Sequence, residues 1–353
     1  MDPGRDQQRQ SAREAELDPD DAGAELERRL AGLRSGSREA ATAALRPLLD
    51  RELWGRTPEA LQDLAIQELG RRIDEDFAWL ATTTFACAGL EHRIAAFRHR
   101  ESGAVLHLLP AGRFVMGRDD GPRDARPAHA VHIRRPFLIG RTPLRQDEWR
   151  RIMPSNPSHH EGADRPVEKV SWWDAVDWTR AAGSGLRLPS EAEWEYACRA
   201  GSTTRYFWGE EWEPGWAWCG RDSRQTRAVE RHADRANAFG LVDGLGNVYE
   251  WCLDAFLAGY EHGPHDEQPF LNEREQRVSR GGHWRDLPAD LGCSERMFEN
   301  AHWRGDDQGF RLAANLPLDD LCPDAPATPP AVDELIAIHP PLPPGPDSPD
   351  EPA

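Results

Sequence analysis

The sequence predicts a mixed α+β protein in which a helical segment precedes a larger, loop-rich domain of short strands and short helices. Leucines and alanines recur every three or four residues through residues 23–100, a spacing typical of the buried side of helices. From residue 104 the pattern changes to short apolar runs bounded by glycine and proline, which favours strands. Twelve of the fourteen tryptophans lie between Trp149 and Trp303, so we expect the main core there.

The N-terminal part of the chain divides into two segments. Residues 1–22 are charged and lack periodicity, so we expect them to be disordered. Residues 23–100 are predicted to form a small helical module, with a helix start at Thr57-Pro58-Glu59 and an apolar stripe that continues to Leu80. The first stripe of this module consists of Leu26, Leu30 and Leu33. We expect the module to serve packing or docking to a partner protein.

The larger domain is predicted to contain both kinds of element. Residues 104–117 favour two short strands around Pro110, and residues 130–139 favour another strand. Helices are predicted at residues 142–153, 172–182 and 191–199, the last two capped by Ser171 and Ser190. We expect Arg187 and Glu193 to form a buried ion pair. Residues 318–353 are acidic and rich in proline, which predicts an extended tail.

Composition excludes some classes of function. A formal charge of −18 argues against nucleic acid as a partner, because phosphate contacts require clustered lysine and arginine. No stretch is apolar enough for a membrane span or a signal peptide, so we expect a cytoplasmic protein. The six cysteines are scattered without a CxxC pair, which favours reduced, mostly buried thiols.

A long polar segment lies between two framework motifs near the end of the domain. Gly281-Gly282 precedes it, and Gly309 to Leu312 follows it with the alternation of a buried strand. Long irregular loops on a rigid scaffold commonly carry binding or catalytic residues. Residues 283–308 are therefore the predicted functional loop, referred to below as the recognition loop.

Six motifs resemble, in order and spacing, those of the formylglycine-generating enzyme, or sulfatase-modifying factor, superfamily. They are AGRFVMG (111–117), RLPSEAEWEYACRAG (187–201), FWG (207–209), NAFGLVDGLGNVYEW (237–251), RGGHW (280–284) and GFRL (309–312). The resemblance covers residues 104–317 and implies a C-type-lectin-like fold of small twisted sheets, short helices and ordered loops. That fold is similar to those of the C-terminal half of ergothioneine-type iron sulfoxide synthases and the variable proteins of diversity-generating retroelements, so fold alone leaves function open.

The resemblance also implies a structural calcium site. Residue by residue, the ligands would be the carboxylates of Asp243 and Glu250 and the backbone oxygens of Gly246 and Val248. Such an all-oxygen shell suits a hard cation. The alternative is that Asp243 caps a turn and Glu250 pairs with an arginine.

Copper is not expected. In the oxidases of this family two cysteines after the double glycine hold Cu(I), and the resemblance places Asp286 and Leu291 at those positions. Cys293 falls at a non-catalytic position and is expected to pack in the interior. Iron is not excluded, although residues 1–91 contain no histidine for the site that the sulfoxide synthases carry on a helical N-terminal domain.

Three interpretations of function follow. The first is a binding module that recognises a protein or small molecule through the recognition loop, one form of which is a receptor diversified by a retroelement. The predicted contact residues are His283, Arg285, Asp286, Asp290, Phe298, His302, Trp303 and Arg304. The second is a metal-dependent oxidase that assembles its metal from His283, His302 and nearby carboxylates. The third is an accessory protein in which residues 23–100 dock to a partner while the larger domain recognises a ligand.

Overall fold

The computed structural model describes residues 28, 31–32, 37–220, 223–231, 233–272 and 274–321. The predicted disordered segment 1–22, the stripe of Leu26, Leu30 and Leu33, and the tail beyond residue 321 lie outside the described residues. Within the described part of the chain, no helix has both the length and the apolar character needed to cross a bilayer.

Six helices and twelve strands are described below under one numbering. The helices are α1 (Arg38–Leu45), α2 (Arg51–Arg56), α3 (Glu59–Ile73), α4 (Gln146–Ile152), α5 (Trp172–Ala182) and α6 (Glu191–Arg199). The first six strands are β1 (Phe77–Cys87), β2 (Leu90–His99), β3 (Val105–Leu109), β4 (Gly112–Met116), β5 (His129–Ile133) and β6 (Phe137–Gly140). The others are β7 (Leu186–Arg187), β8 (Tyr249–Ala255), β9 (Gln276–Arg280), β10 (Arg296–Asn300), β11 (Gln308–Gly309) and β12 (Ala313–Ala314).

The strands form three small sheets. The largest has the order β1-β2-β3-β6-β12-β7, a second has the order β10-β9-β8-β11, and β4 pairs with β5 alone. In the second sheet β9 runs antiparallel to both β8 and β10, and β11 runs parallel to β8. The expected mixed α+β architecture with small sheets, short helices and long loops is confirmed.

The helical prediction for residues 77–100 is wrong. These residues form the β1–β2 hairpin, which turns at Ala88 and Gly89, both with positive φ. Phe77 and Leu80 continue the apolar spacing of α3, which favoured a helix. Three consecutive threonines at 82–84 prefer a strand, and β2 pairs in turn with β3, so the tertiary structure decides.

The N-terminal helices do not form a separate module. Trp54 and Leu69 belong to the same buried cluster as Trp172 and Phe310 of the larger domain. The Trp54 indole donates a hydrogen bond to the carbonyl of Arg93 on β2, at 2.9 Å. Removing residues 1–100 would therefore remove two strands and part of the common core, so that deletion does not test a docking role by itself.

Local signals for the helices of the larger domain are confirmed. Ser171 caps α5 and Ser190 caps α6, each in a capping box. The Arg187 guanidinium and the Glu193 carboxylate, both buried, form the expected ion pair with N–O distances of 2.6 and 2.7 Å. The predicted strand over residues 130–139 is two strands, β5 and β6, which belong to different sheets.

Candidate functional site

The recognition loop begins at a double glycine that no larger residue could replace without strain. Gly281 and Gly282 have φ values of +94° and +73°. A Cβ on Gly281 would lie 2.9 Å from the carbonyl oxygen of Gly244 and 3.2 Å from the Trp194 ring. The Gly281 carbonyl accepts a hydrogen bond from the amide of Gly246, so β9 ends against the turn that precedes β8.

A buried ion pair fixes the other end of the loop. Arg311 follows β11 and is 2 % exposed, and its guanidinium donates to the fully buried carboxylate of Glu250 on β8 at 2.7 Å. The Trp194 indole donates to the same carboxylate at 2.7 Å. Both ends of the loop are thus joined to β8, one of the two central strands of this sheet, and to α6.

The middle of the loop is more ordered than the sequence indicates. Residues 296–300 form β10, an edge strand that pairs with β9 and was not predicted. Arg205 donates to the carbonyl oxygen of Leu291 at 3.2 Å, and the hydroxyl of Tyr206 donates to the carbonyl oxygen of Pro288 at 2.9 Å. These contacts hold the turn at residues 288–291 against the FWG segment.

Asp286 and Leu291, the residues at the cysteine positions, lie against the same glycine. A Cβ on Gly282 would lie 3.0 Å from a carboxylate oxygen of Asp286 and would overlap the side chain of Leu291. Leu291 is fully buried, whereas the Asp286 side chain is 16 % exposed. A carboxylate and an alkyl group thus occupy the place where the resemblance puts two thiols, and neither is a ligand for Cu(I).

A cleft of about 540 Å³ opens beside Asp286. Asp290, Gly282 and Tyr249 also line it. Its charged lining residues are Arg118, Arg205, Arg296, Asp120, Asp286, Asp290 and Glu295. Three guanidinium groups thus face four carboxylates, and the lining is strongly polar. A cleft of this size and character suits a polar or charged ligand or part of a protein chain.

Burial and neighbouring charges alter the pKa of groups that line the cleft. Arg118 donates two hydrogen bonds to Asp120 and holds the pKa of that carboxyl at about 2. Burial raises the pKa of the Tyr249 hydroxyl, and the nearby Asp286 carboxylate raises it further. Tyr249 is therefore a neutral hydroxyl at physiological pH, close to the Asp286 carboxylate.

His283 does not line the cleft but contacts Asp286, which does. Its backbone amide donates to Asp286 at 3.0 Å, and its Nε2 lies 3.3 Å from the same carboxylate. Its Nδ1 accepts from the amide of Arg285 at 2.9 Å, so both ring nitrogens are engaged. Asp290 accepts from the amide of Leu287 at 3.1 Å and caps the turn that follows.

The other predicted contact residues line the later part of the loop. Phe298 is 37 % exposed and stacks on Phe256 at a ring distance of 4.1 Å. Arg304 pairs with Asp174 of α5 at 2.7 Å. Trp303 is 51 % exposed, and His302 lies 6.4 Å from the ring of Trp173 on α5. The predicted residues therefore fall into a charged group at residues 283–290, next to the cleft, and a mostly aromatic group at residues 298–304, in which His302 and Arg304 lie against α5.

The calcium motif does not fit a calcium ion in the observed arrangement. Asp243 pairs with Arg227 at 3.2 Å and accepts from the amide of Glu230, while Glu250 is held by Arg311 and Trp194. The carbonyl of Gly246 accepts from the amide of Val248 at 3.0 Å. Both carboxylates thus have protein donors, and Glu250 pairs with an arginine as in the alternative interpretation, whereas Asp243 pairs with an arginine instead of capping a turn.

Histidines 283 and 302 are not brought together with a third ligand. Among the described residues, the histidine, cysteine and carboxylate groups that converge closely enough for one ion are His159, His160 and Asp306. This set was not predicted from the sequence. Adjacent histidines at 159 and 160 were a visible signal, but only the fold brings Asp306 to them.

Cys293 lies in the interior as expected. Its Sγ is 3.7 Å from the Sγ of Cys198 on α6, and both residues are buried. Burial raises the pKa of Cys198 well above its usual range, so that thiol is a poor nucleophile. Four of the five described cysteines are buried, and Cys322 lies outside the described residues.

Known proteins are similar to this chain in sequence and in fold. The chain is 37% identical over 242 residues to a formylglycine-generating enzyme of Streptomyces coelicolor, covering 62% of this chain and 69% of the relative. Its fold is similar to that of PvdO from Pseudomonas aeruginosa, with a TM-score of 0.57 and 27% identity over 63% of this chain and 98% of that one.

The fold is also similar to that of Treponema denticola variable protein 1, with a TM-score of 0.55 at 24% identity, covering 67% of this chain and 99% of that one. Against several other curated relatives the chain spans less than two thirds of their length. The sequence profile of the sulfatase-modifying factor enzyme 1-like domain matches residues 94–316. The chain therefore belongs to the sulfatase-modifying factor family, within the superfamily that includes formylglycine-generating enzymes.

Proposed function

We propose that this protein is a binding module that recognises a partner through the recognition loop and the adjoining charged cleft. The observation that carries the proposal is the distribution of exposed apolar side chains. Eight large apolar side chains are exposed among the described residues, and four lie in this one loop. They are Leu287, Met297, Phe298 and Trp303. Exposed apolar groups that share one segment with charged groups are typical of interaction sites.

The cleft supports the same conclusion. Its position corresponds to that of the copper-binding cysteines, yet Asp286 and Leu291 offer no soft ligand there. The carboxylates of Asp286 and Asp290 and the guanidinium groups of Arg118 and Arg205 line the same polar space. Such a cleft can hold a charged side chain of a bound peptide against lining groups of the opposite charge. The aromatic residues of the loop can then contact apolar residues of the same peptide. We therefore favour a protein segment as the ligand.

The test begins with selection of peptides from a random display library on the immobilised full-length protein. The affinity of each selected peptide is then measured by fluorescence anisotropy. Trp303→Ser is expected to weaken binding on the order of 30-fold, the cost of removing a hot-spot aromatic. Trp79→Ser is the matched control, because Trp79 is 46 % exposed and Trp303 is 51 % exposed. Peptides that bind equally to both variants and to Asp286→Asn would refute the proposal.

The exposed edge of β1 is the alternative binding surface, and the same two tryptophan variants distinguish it from the recognition loop. Trp79 and Leu80 are exposed on β1, the edge strand of the six-stranded sheet. Edge strands with apolar side chains can pair with another chain. Loss of binding in Trp79→Ser with full binding in Trp303→Ser would transfer recognition to the N-terminal part of the chain.

A metal-dependent oxidase is the second candidate function. The identity of 37% to a formylglycine-generating enzyme favours it. The residues at the cysteine positions oppose copper, so iron would be the metal to seek. Metal content is measured on protein purified after expression with added iron or copper. Less than one equivalent of either metal after reconstitution would count against this candidate.

A further inference from the structure

Three side chains from two distant parts of the sequence converge near the end of the recognition loop. His159 and His160 lie in the segment between α4 and α5, and Asp306 lies just before β11. One ligand atom from each of the three lies within 4.8 Å of the others. Two imidazoles and a carboxylate are the donor set that divalent iron, zinc and related ions bind in proteins.

The separation of two of these groups suits a shared ion better than a hydrogen bond. Nε2 of His160 is 3.6 Å from a carboxylate oxygen of Asp306, which is too long for a hydrogen bond. Two donors that each lie about 2.0 to 2.2 Å from one ion are roughly 3 to 3.7 Å apart at ordinary coordination angles. The observed distance falls in that interval, so these two groups need little movement to bind one ion.

His160 has an unmet requirement at the same atom. Its Nε2 is buried and has no hydrogen-bond partner among the described residues. Buried polar atoms in native proteins are normally paired with protein, water or an ion. A metal ion between His160 and Asp306 would satisfy this nitrogen.

Neighbouring residues fix the orientation of the proposed ligands. Glu168 is fully buried, and its carboxylate accepts from the amide of His160 at 2.6 Å. The ring of Trp284 lies edge-on to His160 at 5.4 Å. Arg285 pairs with one oxygen of Asp306 and leaves the other directed at His160. The Glu168 contact positions the backbone of His160, and the contacts of Trp284 and Arg285 restrict the two side chains, as outer contacts do in metal sites.

The local charge balance permits a cation. The guanidinium of Arg285 opposes a positive ion, but it also lies 3.6 Å from Asp307. The guanidinium of Arg165 also acts on His160, and the carboxylates of Glu168, Asp306 and Asp307 outnumber the two arginines. One oxygen of Glu168 is buried without a hydrogen-bond partner in the described structure, and burial raises the pKa of that carboxyl.

We propose that His159, His160 and Asp306 bind one divalent first-row transition-metal ion, with the remaining coordination positions open to water or to a ligand. His159 is exposed, so one side of the site faces solvent. A shallow depression of about 380 Å³, lined in part by Trp284 and Arg285, adjoins the residues that hold the site. Metal binding by these three residues does not require the proposed peptide recognition.

Cobalt titration of the full-length protein tests the proposal. The protein is first stripped with chelator, and Co²⁺ binding is followed by visible absorption and by isothermal titration calorimetry. One equivalent is expected to bind, and Zn²⁺ is expected to displace it. His159→Gln and His160→Gln should each lose more affinity than the roughly 10- to 100-fold that Glu168→Gln costs as an outer-sphere change.

The matched control is His262→Gln, which removes an exposed histidine away from the set and should leave the titration unchanged. His159 is exposed, so its variant is expected to fold, and circular dichroism checks each protein. The absence of one-equivalent Co²⁺ binding by the wild type would overturn the proposal. Unchanged affinity in the folded His159→Gln and His160→Gln variants would overturn it as well.

Discussion

The side chains of Asp286 and Leu291 meet over the backbone of Gly282. A Cβ on that glycine would lie 3.0 Å from Asp286 and would overlap Leu291. The two positions that the family resemblance assigns to copper-binding cysteines are therefore adjacent in space, although they are five positions apart in sequence. The scaffold retains the geometry for a pair of ligands and presents different chemistry there.

Restoring the thiols is expected to restore the metal site. The double variant Asp286→Cys/Leu291→Cys should bind one Cu(I) ion much more tightly than the wild type, because two thiolates at adjacent positions suit a soft ion. Competition with a chromophoric Cu(I) chelator measures the difference. Asp290→Cys/Leu287→Cys carries the same number of added thiols on the same turn and serves as control. Equal Cu(I) affinity in both double variants would contradict the geometry.

Gly282→Ala is expected to be more destabilising than Gly89→Ala. Both glycines have positive φ, at +73° and +78°, so each alanine carries backbone strain of about 1 kcal/mol. A Cβ on Gly89 meets nothing within 4 Å, whereas one on Gly282 overlaps Leu291. Overpacking adds roughly 1 to 3 kcal/mol at Gly282. Urea denaturation measures the free energy of unfolding, and equal losses would show that the contact does not matter.

Stability is expected to fall as the pH is lowered from about 6.5 toward 4. Burial lowers the pKa of His107 to about 4, and its Nδ1 is engaged with the carbonyl oxygen of Phe239 at 2.9 Å. The unfolded chain takes up a proton near pH 6.5 while the native protein does not, so protons favour unfolding in this interval. His107→Gln should reduce the slope of unfolding free energy against pH, and the exposed His262→Gln should not. Identical slopes in the two variants would be the contrary result.

Calcium is expected to leave the melting temperature unchanged. Arg227 occupies the carboxylate of Asp243, and Arg311 and Trp194 occupy that of Glu250. An entering ion would have to displace these donors from buried positions. Thermal unfolding in calcium and in chelator measures the difference. A rise of several degrees that Asp243→Ala abolishes would restore the calcium site that the family resemblance implies.

The sequence predicted those features whose signals are local. The cap at Ser171 and the ion pair of Arg187 with Glu193 depend on residues only a few positions apart, and both were found. The β1–β2 hairpin was missed because its pairing with β3 outweighs the helical spacing of Phe77 and Leu80. The shared core of Trp54 and Phe310 is likewise a long-range property.

The candidate site likewise combines features that were predicted from local motifs with features that only the fold brings together. The frame of the recognition loop and the position of Asp286 followed from motifs along the chain. The cleft also requires Arg118 and Arg205, which come from distant loops that no spacing connects to Asp286. His160 and Asp306 are equally distant in sequence, so their convergence could not be predicted from either motif.

The site at the cysteine positions is proposed to bind a ligand and not to oxidise it. The decisive measurement is oxygen consumption of the wild-type protein, supplied with copper and a reductant, on a cysteine-containing peptide. The expected rate equals that of copper and peptide without protein, with the peptide mass unchanged. Protein-dependent oxygen consumption together with conversion of the cysteine to formylglycine would contradict it.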